Sequence, residues 1–157
     1  MLSWRFSSYL WILGAVLILI SDRFFKFLAA QGHFHHPKHL IGDVFSLYTV
    51  KNVHIAFSIP FPSTILNTTI TLIVLILIGW LLWNIKNRRE NISTMLVFLI
   101  LGASSNLFDR YEAGGVIDYL HLQYFTVFNL ADVMIIIGAL GILWSFYRTN
   151  KTKDVPH

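Results

Sequence analysis

The charges of this chain are distributed so that four long stretches carry almost none. Arg5 and Asp22 bracket sixteen uncharged residues, and apolar character continues past Lys26 to Ala30. No Asp, Glu, Lys or Arg occurs from Asn52 through Ile85, and the part from Ile65 to Trp83 is dominated by Leu, Ile and Val. Glu90 and Asp109 bracket eighteen uncharged residues, and the chain is again uncharged between Asp132 and Arg148. A helix needs about 20 apolar residues to cross about 30 Å of hydrocarbon. The pattern therefore predicts four membrane spans, at about 9–29, 65–85, 92–109 and 130–148. Trp11, Trp80, Trp83, Trp144 and Tyr147 lie toward span ends, where interfacial aromatic belts form. Only 13% of the residues are charged, against about 25% in soluble domains, too few to cover a water-facing surface. The first stretch also has features of a cleaved signal peptide, with Ala29-Ala30 as small residues, but Asp22, Arg23 and Lys26 interrupt the approach to any such cleavage site.

Orientation follows from the basic residues. Four spans put both termini on one side, together with Arg5, Lys86, Arg88, Arg89, Arg148, Lys151 and Lys153. The other side receives Lys38 and Lys51, with Arg110 at its edge. The positive-inside rule then predicts cytoplasmic termini and extracytoplasmic segments 31–64 and 110–129. Within those segments, residues 40–58 and 116–128 alternate apolar and polar side chains and are poor in helix formers, as strands are. The expected fold is an all-α integral membrane protein: a four-transmembrane-helix bundle with a small extracytoplasmic β-sheet on its outer face, forming one domain over residues 1–157.

Several chemistries are excluded. The chain has no cysteine, so thiol nucleophiles, Cys-ligated metals and disulfide exchange are absent. The net charge of +4 forms no basic stripe with interleaved aromatics, so no nucleic-acid partner is expected. No H-E-x-x-H occurs, and the cluster His33, His35, His36 and His39 reads as an exposed loop. No metal and no cofactor is expected. Ser104-Ser105 lacks a histidine base from any span, and the GASS stretch reads as helix packing.

The carboxylates are the informative groups. Asp43 and Glu112 fit solvated loops, and Glu90 and Asp154 fit the inner side. Asp22, Asp109, Asp118 and Asp132 come from separate parts of the sequence but fall at one outer level under the predicted topology. Ionisable groups at such a depth face a bundle interior and mark function, although Asp22 with Lys26 is also a helical i,i+4 pair. Asn106, Asp109 and Arg110 share one helix face, and Asn129 and Asp132 share another. Two carboxylates in one low-dielectric site cannot both ionise easily, so one retains a proton and the other acts as base toward water.

These residues carry a family resemblance that covers nearly the whole chain. Asp22 to Lys26 stands as D-x-x-x-K, and NVHIAF matches N-x-G-x-A-F at Asn52, Ala56 and Phe57. SNLFDRYEAGGVIDY matches G-N-x-x-D-R-x-x-x-G-x-V-x-D-F at Asn106, Asp109, Arg110, Gly114, Val116 and Asp118, and FNLAD matches F-N-x-A-D at Phe128, Asn129, Ala131 and Asp132. The chain resembles bacterial lipoprotein signal peptidase, or signal peptidase II. The resemblance implies an aspartic endopeptidase of the bacterial cytoplasmic membrane. Such enzymes remove the signal peptide of diacylglyceryl prolipoproteins just before the lipidated cysteine, and globomycin inhibits them. It implies a catalytic pair Asp118 and Asp132, a substrate pocket with Asn52, Asn106, Arg110 and Asn129, and support from Asp22, Lys26 and Asp109. Membrane lipid and the prolipoprotein are the expected partners of a monomer. His54, Leu101, Ser105 and Tyr119 depart from the family pattern, which has Gly at the first, often Gly at the next two, and Phe at the last. The competing function is a small proton-coupled transporter or a non-catalytic membrane subunit, since buried carboxylates also build proton relays. A transporter site, however, lies near the bilayer midplane rather than its outer edge.

Overall fold

The computed structural model describes residues 6–53 and 63–151. His54, Ala56, Phe57, Pro60 and Pro62 lie outside the described residues. The described chain forms helix α1 (Phe6–Ala30), strands β1 (Lys38–Ile41) and β2 (Phe45–Asn52), helices α2 (Ser63–Lys86) and α3 (Glu90–Glu112), strands β3 (Val116–Leu122) and β4 (Thr126–Phe128), and helix α4 (Leu130–Lys151). The helices Ser63–Lys86 and Glu90–Glu112 and the segment Leu130–Arg148 are long and apolar enough to cross a membrane. Helix α1 is equally long but carries Asp22, Arg23 and Lys26 in its second half.

The surface is the inverse of a soluble domain. On α1 the exposed residues Leu10, Leu13, Leu17, Ile20, Phe24 and Phe27 recur at helical spacing, while the buried stripe is Ser8, Ala15, Asp22, Lys26 and Ala29. Helix α2 likewise exposes Leu72, Ile73, Leu75, Ile76 and Leu82. An apolar exterior of this extent is stable only against lipid or another protein. The buried charges consequently sit at the helix–helix seams.

Three apolar clusters hold the elements together. Val74, Leu96, Ile100 and Ile142 join α2, α3 and α4. Ala15, Phe98 and Met134 join α1, α3 and α4. Ala29, Phe34 and Tyr119 lock the end of α1 to the sheet. Helices α3 and α4 approach especially closely. A Cβ on Gly102 would lie 2.5 Å from the Ala131 carbonyl, and one on Gly138 would lie 2.7 Å from backbone atoms of Met95 and Leu99. Only glycine permits this approach, which brings Asn106 of α3 within reach of Asp132 of α4.

The sheet is antiparallel throughout, in the order β1-β2-β3-β4. Each strand-like stretch of the sequence turned out to be a hairpin. Residues 42–44 and 123–125 form turns inside the two alternating segments, with Gly42 and Tyr124 at positive φ (48° and 68°). Apolar Val44 and Phe125 sit within these turns, so the alternation ran on through the reversals. The two turns are joined by a hydrogen bond from Gln123 N to the Val44 carbonyl at 2.9 Å.

Candidate active site

Helix α4 starts with its own cap. Asn129 precedes the first turn, and its Oδ1 accepts the Asp132 N–H at 2.8 Å. In return Asp132 Oδ2 accepts the Asn129 N–H at 3.2 Å. This reciprocal arrangement is a capping box with a carboxylate in the third helical position. It fixes Asp132 within the first turn, where the helix dipole favours negative charge.

Asp118 reaches the same place from β3. In the antiparallel register Asn52 of β2 lies opposite Val116, so Asn52 and Asp118 share a face. Asn52 Nδ2 donates to Asp118 Oδ2 at 3.3 Å. Asn129 Nδ2 donates to Asp118 Oδ1 at 2.7 Å. Asn129 thus binds one carboxylate with its side chain and the other with its backbone. Asn106 completes the frame. Its Nδ2 donates to Asp132 Oδ1 at 2.7 Å, while its Oδ1 accepts from Asn129 at 3.1 Å and from Lys26 Nζ at 2.9 Å. Because the ammonium can only donate, Lys26 dictates which end of the Asn106 amide faces Asp132.

Asp118 is 4% exposed. Burial, and secondarily the negative charge of Asp132, push its carboxyl up to about 7, against the opposing pull of the Asn52 and Asn129 hydrogen bonds. Arg110 on α3 lies close enough for its charge to act on Asp118, Asp132 and Asp109.

Behind the pair lies a second buried cluster. Lys26 Nζ is 3.0 Å from Asp22 Oδ2 and 2.7 Å from Asp109 Oδ2, and all three side chains are at most 1% exposed. Arg23 pairs with the other oxygen of Asp109 and stacks on Phe108 at 4.6 Å. Two carboxylates facing two cations make a balanced group, the condition under which buried ions are tolerated.

Of the candidate site residues, Asp118, Asp132, Asn52, Asn106 and Asn129 form one hydrogen-bonded network, Asp22, Lys26 and Asp109 lie behind it, and Arg110 is near enough for its charge to act on the two acids. Asp43 is exposed as expected, and Glu112 is exposed and 3.7 Å from Arg23. His33, His35, His36 and His39 are exposed, and among the described residues no three His, Asp or Glu converge as metal ligands. Sequence reasoning missed Arg23, Ser105 and Tyr119. Ser105 Oγ donates to Asp22 Oδ2 at 2.7 Å and Tyr119 OH to Asp22 Oδ1 at 3.1 Å. A signal existed: both residues place a hydroxyl where the family pattern has none.

The fold, long apolar helices with a small antiparallel sheet, is that of a helical membrane protein. A solved structure described as a bacterial membrane enzyme superposes over 100% of this chain and 98% of its own, with a TM-score of 0.79 at 23% identity. The sequence matches the family model for signal peptidase (SPase) II over residues 14–148. The chain is 31% identical to the lipoprotein signal peptidase of Pseudomonas paraeruginosa over 98% of its length and 96% of the relative's. It is 40% identical to that of Bartonella tribocorum over 71% and 72% of the two chains. The chain belongs to the signal peptidase II family. It is a bacterial integral membrane protease that cleaves lipoprotein signal peptides in lipoprotein maturation.

Proposed function

We propose that this protease is of the aspartic type and that Asp118 and Asp132 are its catalytic pair. The observation that carries the reading is the Asn129 bridge, which ties the buried Asp118 and the half-buried Asp132, from different elements, into one unit. The pair shares one proton. Each acid receives two N–H donors, but only Asp132 stands in the first turn of a helix, whose dipole favours negative charge, so it is the ionised member. Asp118, whose Oδ2 has the longer 3.3 Å bond to Asn52, keeps the proton. Asp132 takes a proton from water as the water oxygen attacks the scissile carbonyl. Asp118 gives its proton to the carbonyl oxygen, forming a neutral tetrahedral diol. Collapse returns that proton to Asp118, and the proton on Asp132 passes to the departing amine. The two acids then stand as they began.

The scissile bond is the one just before the cysteine carrying diacylglycerol, with the signal helix and lipid lying in an apolar groove between spans. Asn52, Asn106, Arg110 and Asn129 hold the peptide backbone and orient the pair, and Asp22, Lys26 and Asp109 support them. The chain works as a monomeric single domain over residues 1–157. It has four spans, with α1 as the first, both termini cytoplasmic, the sheet and active site toward the extracytoplasmic face, and sensitivity to globomycin. The uncharged stretches and the basic residues on the inner connections support this topology. Reporter fusions after Trp83 and at the C-terminus should read cytoplasmic, and one near Asp43 extracytoplasmic.

The deciding experiment incubates purified protein in detergent with a diacylglyceryl prolipoprotein and maps the product's N-terminus. Asp118→Asn and Asp132→Asn should each abolish cleavage while inserting normally. Ordinary turnover by either variant refutes the aspartic pair.

A further inference from the structure

Adjacent strand residues point to opposite faces. Asp118 faces Asn52 and Asn129, so Tyr119 turns the other way. There its ring is fully buried and stacks on Phe25 with centroids 5.4 Å apart. A phenol at that depth needs partners for its oxygen, and it has two. The hydroxyl donates to Asp22 Oδ1 at 3.1 Å and accepts the Leu130 N–H at 3.3 Å.

Leu130 is the first residue of α4. The opening N–H groups of a helix have no partner within it, and here they are divided among three acceptors. Leu130 N goes to Tyr119, Ala131 N goes to Asp22 Oδ1 at 3.2 Å, and Asp132 N goes to Asn129. Asp22 is itself held on its other oxygen by Ser105 Oγ at 2.7 Å and Lys26 Nζ at 3.0 Å. The Tyr119 oxygen therefore connects the strand that carries Asp118 to the helix turn that carries Asp132, against a carboxylate that α1 and α3 hold still.

We propose that Tyr119 is a positioning residue that sets the separation of the two catalytic carboxylates, bracing β3 against the first turn of α4 through Asp22. The proposal rests on the aspartic-pair reading. Both carboxylates must address one water and one carbonyl at once, so a displaced α4 turn slows chemistry without weakening substrate binding remote from the pair.

The test compares steady-state cleavage of a diacylglyceryl prolipoprotein by the full-length protein and its variants. Tyr119→Phe keeps the ring and deletes the brace. It should lower kcat about ten- to thirtyfold, with KM within about twofold. Leu130→Pro removes the partner N–H at a helix position that accepts proline and should have the same effect. The double variant should be no slower than Tyr119→Phe alone, because deleting the hydroxyl already removes the Leu130 hydrogen bond together with the one to Asp22. Asp118→Asn in the same assay reports on the pair itself. If it turns over normally, the aspartic pair fails and the brace with it. If Asp118→Asn is inactive while folded Tyr119→Phe keeps the wild-type kcat, the brace is refuted and the pair stands. A lowered melting temperature with unchanged kcat likewise refutes the brace. Should Tyr119→Phe not fold, an ordinary kcat for Leu130→Pro overturns the proposal.

Discussion

Asp118→Asn should make the protein more stable at neutral and alkaline pH while destroying its activity, and the size of that gain should depend on pH. In the native state the Asp118 carboxyl titrates near 7, raised from an ordinary 3.8 first by burial and then by the charge of Asp132. The folded chain therefore holds a proton that the unfolded chain releases. For an acid shifted upward, stability is complete below the unfolded pKa and declines as pH rises toward the folded one. Each pH unit between about 4 and 7 removes about 1.4 kcal/mol, giving a total near 4 kcal/mol above that window. Asparagine at 118 carries no charge and escapes this decline. It also loses something at every pH: Asn129 and Asn52 each aim an N–H at Asp118, and an amide can accept only one of them well. An unsatisfied buried donor costs about 1–3 kcal/mol. The variant should thus be less stable than wild type near pH 4, equal it at an intermediate pH, and exceed it by about 1–3 kcal/mol at pH 8. Unfolding in detergent, followed by tryptophan fluorescence at several pH values, measures the difference directly. A wild-type-to-variant difference that stays constant from pH 4 to pH 8 would show that Asp118 ionises normally and would remove the physical basis for assigning it the shared proton.

The same titration governs rate. Since Asp118 must hold its proton to act as acid, kcat should fall as pH rises through about 7, and a pH–rate profile still climbing at pH 9 contradicts the assignment. Lys26→Met leaves Asp22 and Asp109 as buried, under-compensated charges. It should cost about 3–5 kcal/mol in unfolding experiments and take activity with it through Asn106, whereas a loss under 1 kcal/mol argues against the buried ion cluster. Removing divalent metals with EDTA, or replacing His33, His35, His36 and His39 together by Gln, should leave cleavage intact. Activity that vanishes and returns on adding zinc overturns that expectation.

The spans were readable because hydrocarbon imposes a length and excludes charge, and both constraints are written in the one-dimensional spacing of Arg, Lys, Asp and Glu. Helices Ser63–Lys86, Glu90–Glu112 and Leu130–Lys151 cover the stretches expected at 65–85, 92–109 and 130–148, each prolonged at one or both ends. The hairpins were harder. Alternation marks a strand but does not mark where it reverses when the turn itself contains Val44 or Phe125. The assembly of the carboxylates was legible as far as helical periodicity and topology reach, which put Asn106, Arg110, Asn129 and Asp132 on faces at one level. Which atom bonds which was not legible, since it depends on the distance between α3 and α4. Gly102 and Gly138 set that distance, and a glycine in a membrane helix looks the same in sequence whether or not a neighbouring backbone presses against it.

In the sequence Asp22 and Lys26 form an i,i+4 pair, and the family resemblance gives them and Asp109 only a general supporting role. Their contacts give them a more specific task. An apolar exterior holds membrane helices together without fixing their rotation or depth, because sliding one past another exchanges one apolar contact for a similar one. A buried charge has no such freedom: a small displacement of Lys26 from Asp22, Asp109 or Asn106 leaves an ion without its partner at low dielectric. The cluster therefore registers α1 against α3 directly, and against α4 through the Ala131 N–H and Tyr119. The proposed catalytic pair, two acids from different elements meeting over one water, needs that registration. The polar layer behind the pair supplies it: Lys26 is tied to the pair through Asn106, Asp22 through the first turn of α4, and Asp109 through the Ile117 N–H of the strand that carries Asp118.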